Sequence, residues 1–253
     1  MSSTPTAHAI SQYATTTGNL TARIALHAYG TNPQNWFAWL GERLPLRGDV
    51  LEVGAGTGKL WTHVDHAGLD LTLTDFSPAM CEQLRTVPGT HVRQCDATEL
   101  PFADASFDAV VANHMLYHLD DPAAALREFR RVLRPGGKVA VAVNGSDHLA
   151  ELNTLGPAIG RPELTLHATQ NDFTAQTGPA YLADHFTGVT VERYHCDLDV
   201  PAAEPILAYL ASLAGEPLTR EQRSAARDLV QTRIDAEGGF HVRKHTVLIT
   251  ASR

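Results

Sequence analysis

The sequence predicts an α/β fold built on a doubly wound, mostly parallel sheet, and three observations carry that expectation. From residue 49 to residue 144, short β-branched apolar runs alternate with longer helical patterns, the order of successive strand–helix–strand units. Inside that stretch a strand pattern runs straight into three alternating glycines, Gly54, Gly56 and Gly58. The composition allows a packed core, because 43% of the 253 residues are hydrophobic and 19% are charged, which excludes a disordered chain.

In chain order, Leu20, Ile24 and Ala28 repeat at helical spacing, as do Trp36, Leu40 and Leu44, with a break at residues 30–33. Strands are expected at 50–53, 69–74, 91–95, 107–112 and 138–143, with helices at 59–67, 78–86 and 122–133. The last helix has Asp121 to cap it, Pro122 in its first turn, a stripe of Leu126, Phe129, Val132 and Leu133, and Pro135-Gly136-Gly137 beyond its end. Residues 145–173 read as a helix within irregular chain. Two further strands are expected at 189–198 and 245–251. Between them come a helix near 206–213 and a longer one opening at Thr219, with Gln222 placed for a capping box.

Charge and cysteine usage exclude several partners. Twenty Lys and Arg against 28 Asp and Glu give a net charge of −8 and a pI near 5.9, which argues against gripping nucleic acid or an anionic membrane by bulk charge. Cys81, Cys95 and Cys196 are odd in number and form no Cys-x-x-Cys pair, so neither a disulfide framework nor a thiolate metal site is expected, and a reducing cytoplasm fits best. No apolar run approaches the ~18 residues of a membrane span. No Arg or Lys precedes Arg23, so the charged start of a signal peptide is absent and the first residues read as a short lead. The 13 histidines exceed what structure alone needs.

The densest signal is V-L-E-V-G-A-G-T-G-K-L at residues 50–60. Such a loop brings backbone N–H groups and a helix start close to a ligand with no Cβ in the way. A dinucleotide fingerprint needs G-x-G-x-x-G, and Lys59 stands where its third glycine belongs, so a nicotinamide-dependent oxidoreductase is disfavoured. Asp75, about 20 residues on at the end of the second strand, is placed to accept two ribose hydroxyls. Asp96 ends the third strand. Together these groups describe one nucleoside site at the carboxyl edge of the sheet.

Glu52 through Gly58, Asp75, Asp96-Ala97, the stretch L-P-F-A-D-A-S-F-D at 100–108 and L-R-P-G-G at 133–137 resemble class I S-adenosylmethionine-dependent methyltransferases. The similarity is to the small-molecule branch that includes ubiquinone and menaquinone biosynthesis enzymes and natural-product methyltransferases, and it spans residues 48–144. It implies a Rossmann-like seven-stranded sheet whose last strand is antiparallel. It also implies S-adenosylmethionine as cofactor and S-adenosylhomocysteine as product. On this resemblance Gly54, Gly56 and Gly58 would pass the methionine part, and Glu52 would reach its ammonium. Asp75 would hold the ribose, Phe76 would lie against the adenine, Asp96 and Ala97 would read the adenine edge, and Asn113 would offer its backbone carbonyl to the ammonium.

Methyl transfer is an in-line displacement that needs an acceptor lone pair ~3 Å from the methyl carbon in a dry pocket. The loop N-H-M-L-Y-H-L-D at 113–120 should border that methyl group, which makes His114 and His118 candidate general bases. Their His-x-x-x-His spacing also suits two metal ligands, but no third ligand completes a set, so no metal is expected. The loop lacks the paired prolines found in methyltransferases of nucleic-acid bases. Arg127, Arg130, Arg131 and Arg134 read as a solvated helix face rather than a phosphate stripe. The expected partner is therefore a small methyl acceptor, with neither nucleic acid nor membrane. Tyr13 and Arg23 are expected on the cofactor's carboxylate end, and His27, Tyr29, Tyr117, Asn144 and His148 in the acceptor pocket, with Tyr181 or His241 as further candidates. A flat or apolar acceptor suits such aromatic walls. A single domain is expected over 1–253: an N-terminal helical lid (1–47), a cofactor-binding core (48–144), and cap insertions with the last two strands (145–253). A non-catalytic cofactor-binding protein would keep the same glycine loop, and oligomeric state is left open.

Overall fold

The computed structural model describes residues 25–165 and 172–253. Tyr13, Arg23 and the predicted helical repeat from Leu20 to Ile24 lie outside the described residues. The strands are β1 (Asp49–Val53), β2 (Asp70–Asp75), β3 (Thr90–Gln94), β4 (Phe107–Asn113), β5 (Leu133–Asn144), β6 (Thr187–Tyr194), β7 (Leu198–Val200), β8 (Phe240–Val242) and β9 (Thr246–Ser252). Among the described residues seven of them form one sheet in the order β3-β2-β1-β4-β5-β9-β6, and β7 and β8 form a separate antiparallel ribbon.

Strands β1 to β5 pair in parallel, and β9 runs antiparallel to both β5 and β6. The expected sheet with its antiparallel last strand is therefore present. The chain moves outward from β1 to β3 and then crosses back to β4. This reversal opens a crevice above the carboxyl ends of β1 and β4, where open α/β sheets bind ligands.

The central strands are apolar almost without interruption because both faces are covered. Val50 and Leu51, Val110 and Val111, and Ala140 and Val141 point alternately to two clusters, one on each face. On one face lie Leu126, Phe129 and Val132 of α3 (Pro122–Val132). On the other lie Trp39 and Leu40 of α1 (Trp36–Gly41), Trp61, and Leu84 of α2 (Pro78–Leu84). A third cluster joins Leu26, Leu149 and Leu164 to the ribbon and to α7 (Ala203–Leu213) and α8 (Arg220–Glu237). Helix α8 opens with the expected capping box of Thr219 and Gln222. The described residues of 145–173 include the short helices α4 (Ala150–Asn153) and α5 (Leu155–Ala158). Before β6 comes α6 (Gly178–Ala183).

Several boundaries differ from the sequence expectation. The helix expected at 59–67 is a single 3-10 turn, Lys59–Thr62. Asp65 accepts from the Ala67 N–H at 2.9 Å, and such local side-chain bonding competes with continued helix. The strand expected at 189–198 is divided into β6 and β7, because its far end leaves the main sheet and pairs with β8. Arg127 and Arg130 of α3 are exposed, as expected, but the arginine stripe is also bonded within the protein. Arg131 binds Glu128, Asp104 and the carbonyls of Leu100 and Phe102, while Arg134 bridges Asp49 and Asp108. Arg130 donates to the His185 carbonyl, so the stripe fastens the helix to its surroundings. No helix of the described residues is long and apolar enough to cross a membrane.

Candidate active site

The first half of the site is made largely from backbone. Gly54, Gly56 and Gly58 all have positive φ (69°, 57° and 72°), so the loop folds in a conformation that side-chain-bearing residues seldom adopt. A Cβ on Gly54 would stand 2.8 Å from Cβ of Met115, whereas one on Gly56 would meet nothing within 4 Å. The space above Gly56 is thus open to a ligand. Asp75 closes the loop: the Gly56 N–H donates to its Oδ2 at 2.9 Å and the Ser77 N–H to its Oδ1 at 2.8 Å. A carboxylate has about four acceptor positions, so two protein bonds leave capacity for two hydroxyl donors.

Glu52 sits two residues before the loop with 2% of its surface exposed, and the Trp61 indole N–H donates to its Oε2 at 2.5 Å. Burial, with the Asp75 charge adding to it, pushes its pKa up to about 7 against the pull of the Trp61 bond. Phe76 is 52% exposed at the same rim, where a flat ring can be covered. Ala97 is buried. Asp96 is exposed, and its Oδ1 already accepts from the N–H and hydroxyl of Thr98, which leaves Oδ2 outside these bonds.

The second half is made of side chains at the ends of β4, β5 and β6. His114 follows β4 with φ 58°, a left-handed backbone held by its N–H bond to the Ala142 carbonyl at 3.0 Å. Its ring lies 5.5 Å from the Trp36 ring, which in turn lies 5.3 Å from Tyr194. Asn113 Oδ1, His114 Nδ1 and Trp36 Nε1 are buried with no hydrogen-bond partner among the described residues. Buried polar atoms are rarely left so, and each costs roughly 1–3 kcal/mol. The Tyr117 and His118 rings meet at a tilt, 4.4 Å between centroids, in the turn Leu116–His118.

Asn144 ends β5 and accepts from the Thr246 hydroxyl at 2.8 Å. His148 is 4% exposed, and its Nδ1 accepts from the His245 N–H at 3.1 Å, which leaves the proton of the neutral ring on Nε2. His27 lies in the turn His27–Tyr29. Burial first, then the charges of Lys244 and its neighbours, lower the pKa of His114 to about 4 and of His148 to about 3. His27 moves in the same direction under burial, Lys244 and Lys59.

The predicted residues therefore gather into two groups, with exceptions. Tyr29 lines a different cavity of about 340 Å³, with Leu26, Ala28, Glu204, Pro205 and Ala208. Tyr181 packs on Phe173, and His241 is exposed opposite Asp199. Sequence reasoning missed Trp61 as the partner of Glu52, and Trp36, Tyr194 and Lys244 as wall residues. Of these only Trp36 figured in the sequence pattern, through its helical spacing with Leu40 and Leu44. Among the described residues no three His, Cys, Asp or Glu side chains converge as a metal site.

Comparison with known proteins agrees with this geometry. Residues 51–141 match the family described as "Methyltransferase domain". An uncharacterized methyltransferase of Mycobacterium tuberculosis is 43% identical over 114 residues, 44% of this chain and 46% of that protein. The demethylmenaquinone methyltransferase of Renibacterium salmoninarum is 46% identical over 94 residues, 37% of this chain and 40% of that one. The chain thus spans under half the length of these relatives. A candidate methyltransferase of Bacillus halodurans superimposes with a TM-score of 0.58 at 17% identity, over 86% of this chain and 98% of that one, which speaks for the fold alone. Residues 51–141 of this chain thus match a methyltransferase domain, and the glycine loop, the acid ending β2 and the antiparallel β9 stand in place around that match.

Proposed function

We propose that the chain transfers a methyl group from S-adenosylmethionine to a small organic acceptor. The observation that carries this reading is Asp75, whose carboxylate ties the glycine loop to the start of the next turn while keeping acceptor capacity at the crevice. The residues fit the cofactor's chemistry. A sulfonium bearing an ammonium favours acids, and Glu52 and Asp75 stand beside a loop open above Gly56. In this reading Glu52 and Asn113 hold the ammonium, Asp75 the ribose, Phe76 the adenine face, and Asp96 with Ala97 its edge. Tyr13 and Arg23 would close the carboxylate end.

The bound cofactor supplies an electrophilic methyl carbon on a neutral leaving group. The chain's part is to seat the acceptor in line, exclude water and take up any proton the acceptor carries. His114, His118, Tyr117, His27, Asn144 and His148 are the residues proposed for that work, with Tyr29 farther out. The segments 1–47 and 145–253 would form the lid and cap around the core at 48–144. An aromatic or otherwise apolar acceptor suits the Trp36 and Tyr194 wall, whereas Arg131 and Arg134 are engaged within the protein, which interrupts any stripe for a phosphate backbone.

Calorimetric titration with S-adenosylhomocysteine tests the reading directly. Saturable binding is expected, and a folded chain that binds none overturns it. Turnover of His114→Ala and His118→Ala on an acceptor panel across pH should fall; if both retain the wild-type rate, this loop takes no part in the chemistry.

A further inference from the structure

The acceptor side of the crevice carries positive charge that no residue of the proposed mechanism neutralises. Three strands deliver their carboxyl ends here, with Asn113 on β4, Asn144 on β5 and Tyr194 on β6, and β9 begins at the same edge because Thr246 pairs with both Asn144 and Tyr194. Lys244, two residues before that pairing, lays its ammonium 5.7 Å from the centre of the Tyr194 ring. Tyr194 touches Trp36, and Trp36 touches His114, so one continuous wall runs from the ammonium to the buried, unpartnered Trp36 Nε1 and His114 Nδ1.

Among the described residues no acid forms an ion pair with the Lys244 ammonium. Asp197 lies near, but its Oδ1 is taken by the Lys244 backbone N–H at 2.9 Å. The other titratable groups around the wall are His27, His114, His118 and His148, with Lys59 at the loop side and the Cys196 thiol beside Tyr194. Burial discourages charge on Lys244, and an anion at this spot would restore it. On the reading of the previous section, a sulfonium cation also faces this wall.

We infer that the acceptor enters as an organic oxyanion, a carboxylate or a phenolate, seated between the Lys244 ammonium and the Trp36–His114 wall, and that this oxygen receives the methyl group. The inference rests on the methyltransferase reading. An oxyanion lone pair forms the new O–C bond, the C–S bond breaks with its pair left on sulfur, and the sulfonium becomes a neutral thioether. No proton is released and two opposite charges disappear. Charge annihilation is favoured where water is excluded, because the transition state is less charged than the reactants. The methylated product is neutral and loses its attraction to Lys244, which favours release. His114 then orients the acceptor by hydrogen bonding rather than by removing a proton.

The test uses the full chain saturated with S-adenosylhomocysteine and two matched probe pairs, benzoate against benzamide and 4-nitrophenolate against 4-nitroanisole. At least one anion should bind about tenfold or more tightly than its neutral partner, and the pair that shows this identifies the source of the oxyanion. Lys244→Met should erase the preference while S-adenosylhomocysteine affinity is kept, and Lys244→Arg should retain it. Because the sequence holds three lysines, Lys59, Lys138 and Lys244, acylation of the wild-type chain mapped by mass spectrometry gives a measurement independent of any variant's folding. The preferred anion should protect Lys244 and leave Lys138 reactive. No anion preference, a preference that survives Lys244→Met, or no protection overturns the inference. Failure of S-adenosylhomocysteine itself to bind overturns the methyltransferase reading instead.

Discussion

The two halves of the crevice are built on opposite plans. Around Gly54 to Gly58 and Asp75 the hydrogen bonds are closed among neighbours: Ala55 to Thr74, Gly56 and Ser77 to Asp75, Trp61 to Glu52. Across the β4, β5 and β6 ends, Trp36 Nε1, Asn113 Oδ1 and His114 Nδ1 are left open. The first half is acidic and mostly backbone. The second is basic and made of side chains drawn from positions more than 200 residues apart, Trp36 to Lys244. A pre-formed backbone cradle suits a ligand that never changes, whereas open side-chain groups suit a second reactant that must be chosen, and both conditions belong to a two-substrate transfer.

Four experiments would break or sharpen this contrast, and the largest effect is expected in the cradle. Gly54→Ala forces a left-handed backbone on alanine and drives its Cβ onto Met115, so stability measured by urea unfolding should fall by about 3 kcal/mol. Gly56→Ala carries the backbone cost without the clash and should lose about 1 kcal/mol, with most of its damage in S-adenosylhomocysteine affinity. Equal losses would mean that Met115 does not press on the loop.

The next effect is a pH dependence from the basic half. His148 is neutral in the fold, with its pKa lowered to about 3. Its contribution is fully present above the ordinary value near 6.5 and is lost as pH falls toward 3, because the unfolded chain takes up the proton first. Between pH 7 and pH 5 this removes about 2 kcal/mol. Glu52 works in the opposite direction: its raised pKa makes the fold gain stability as pH falls from about 7 toward 4.5. The single-site difference isolates His148. Urea midpoints should fall less between pH 7 and pH 5 for His148→Asn than for the wild type, and parallel losses would show that His148 is not held neutral.

Asp75→Ala should weaken S-adenosylhomocysteine binding by about tenfold or more, since it removes a charged acceptor from the crevice and frees two loop N–H groups. Near-normal affinity in a calorimetric titration would take Asp75 out of the site. The smallest shift is expected from Trp61→Phe, which deletes the hydrogen bond opposing burial at Glu52. The pKa of Glu52 should rise further above about 7, and the pH at which cofactor-product affinity is half gained should rise with it, at a cost of about 1 kcal/mol.

How much could be read in advance followed the same division. The strands β1 to β5, the helix after Asp121, the capping box at Thr219 and the cofactor half all depend on residues adjacent in sequence, so periodicity, caps and glycine spacing marked them. The turn at Lys59–Thr62 was misread as a helix because a weakly helical stretch satisfied a local side-chain bond at Asp65. The split of β6 from β7 was not legible, since the partner that draws β7 away, β8, lies about 40 residues on. Among the acceptor candidates, His27, His114 and His148 come under the same Lys244 charge, while Tyr29 faces another cavity.

By itself, the sequence determined the parallel core, its glycine loop and the acids placed beside that loop, because each is set by local backbone geometry and by residue type at short spacing. The tertiary structure alone decided that Trp61 would hold Glu52, that Arg131 would fasten a helix and Arg134 the ends of three strands, and that Lys244 would stand beside Tyr194 above an unpartnered wall. Those contacts arise from strand order, which brings the ends of β4, β5, β6 and the start of β9 to one edge, and no local pattern in the chain encodes which distant side chains will share that edge.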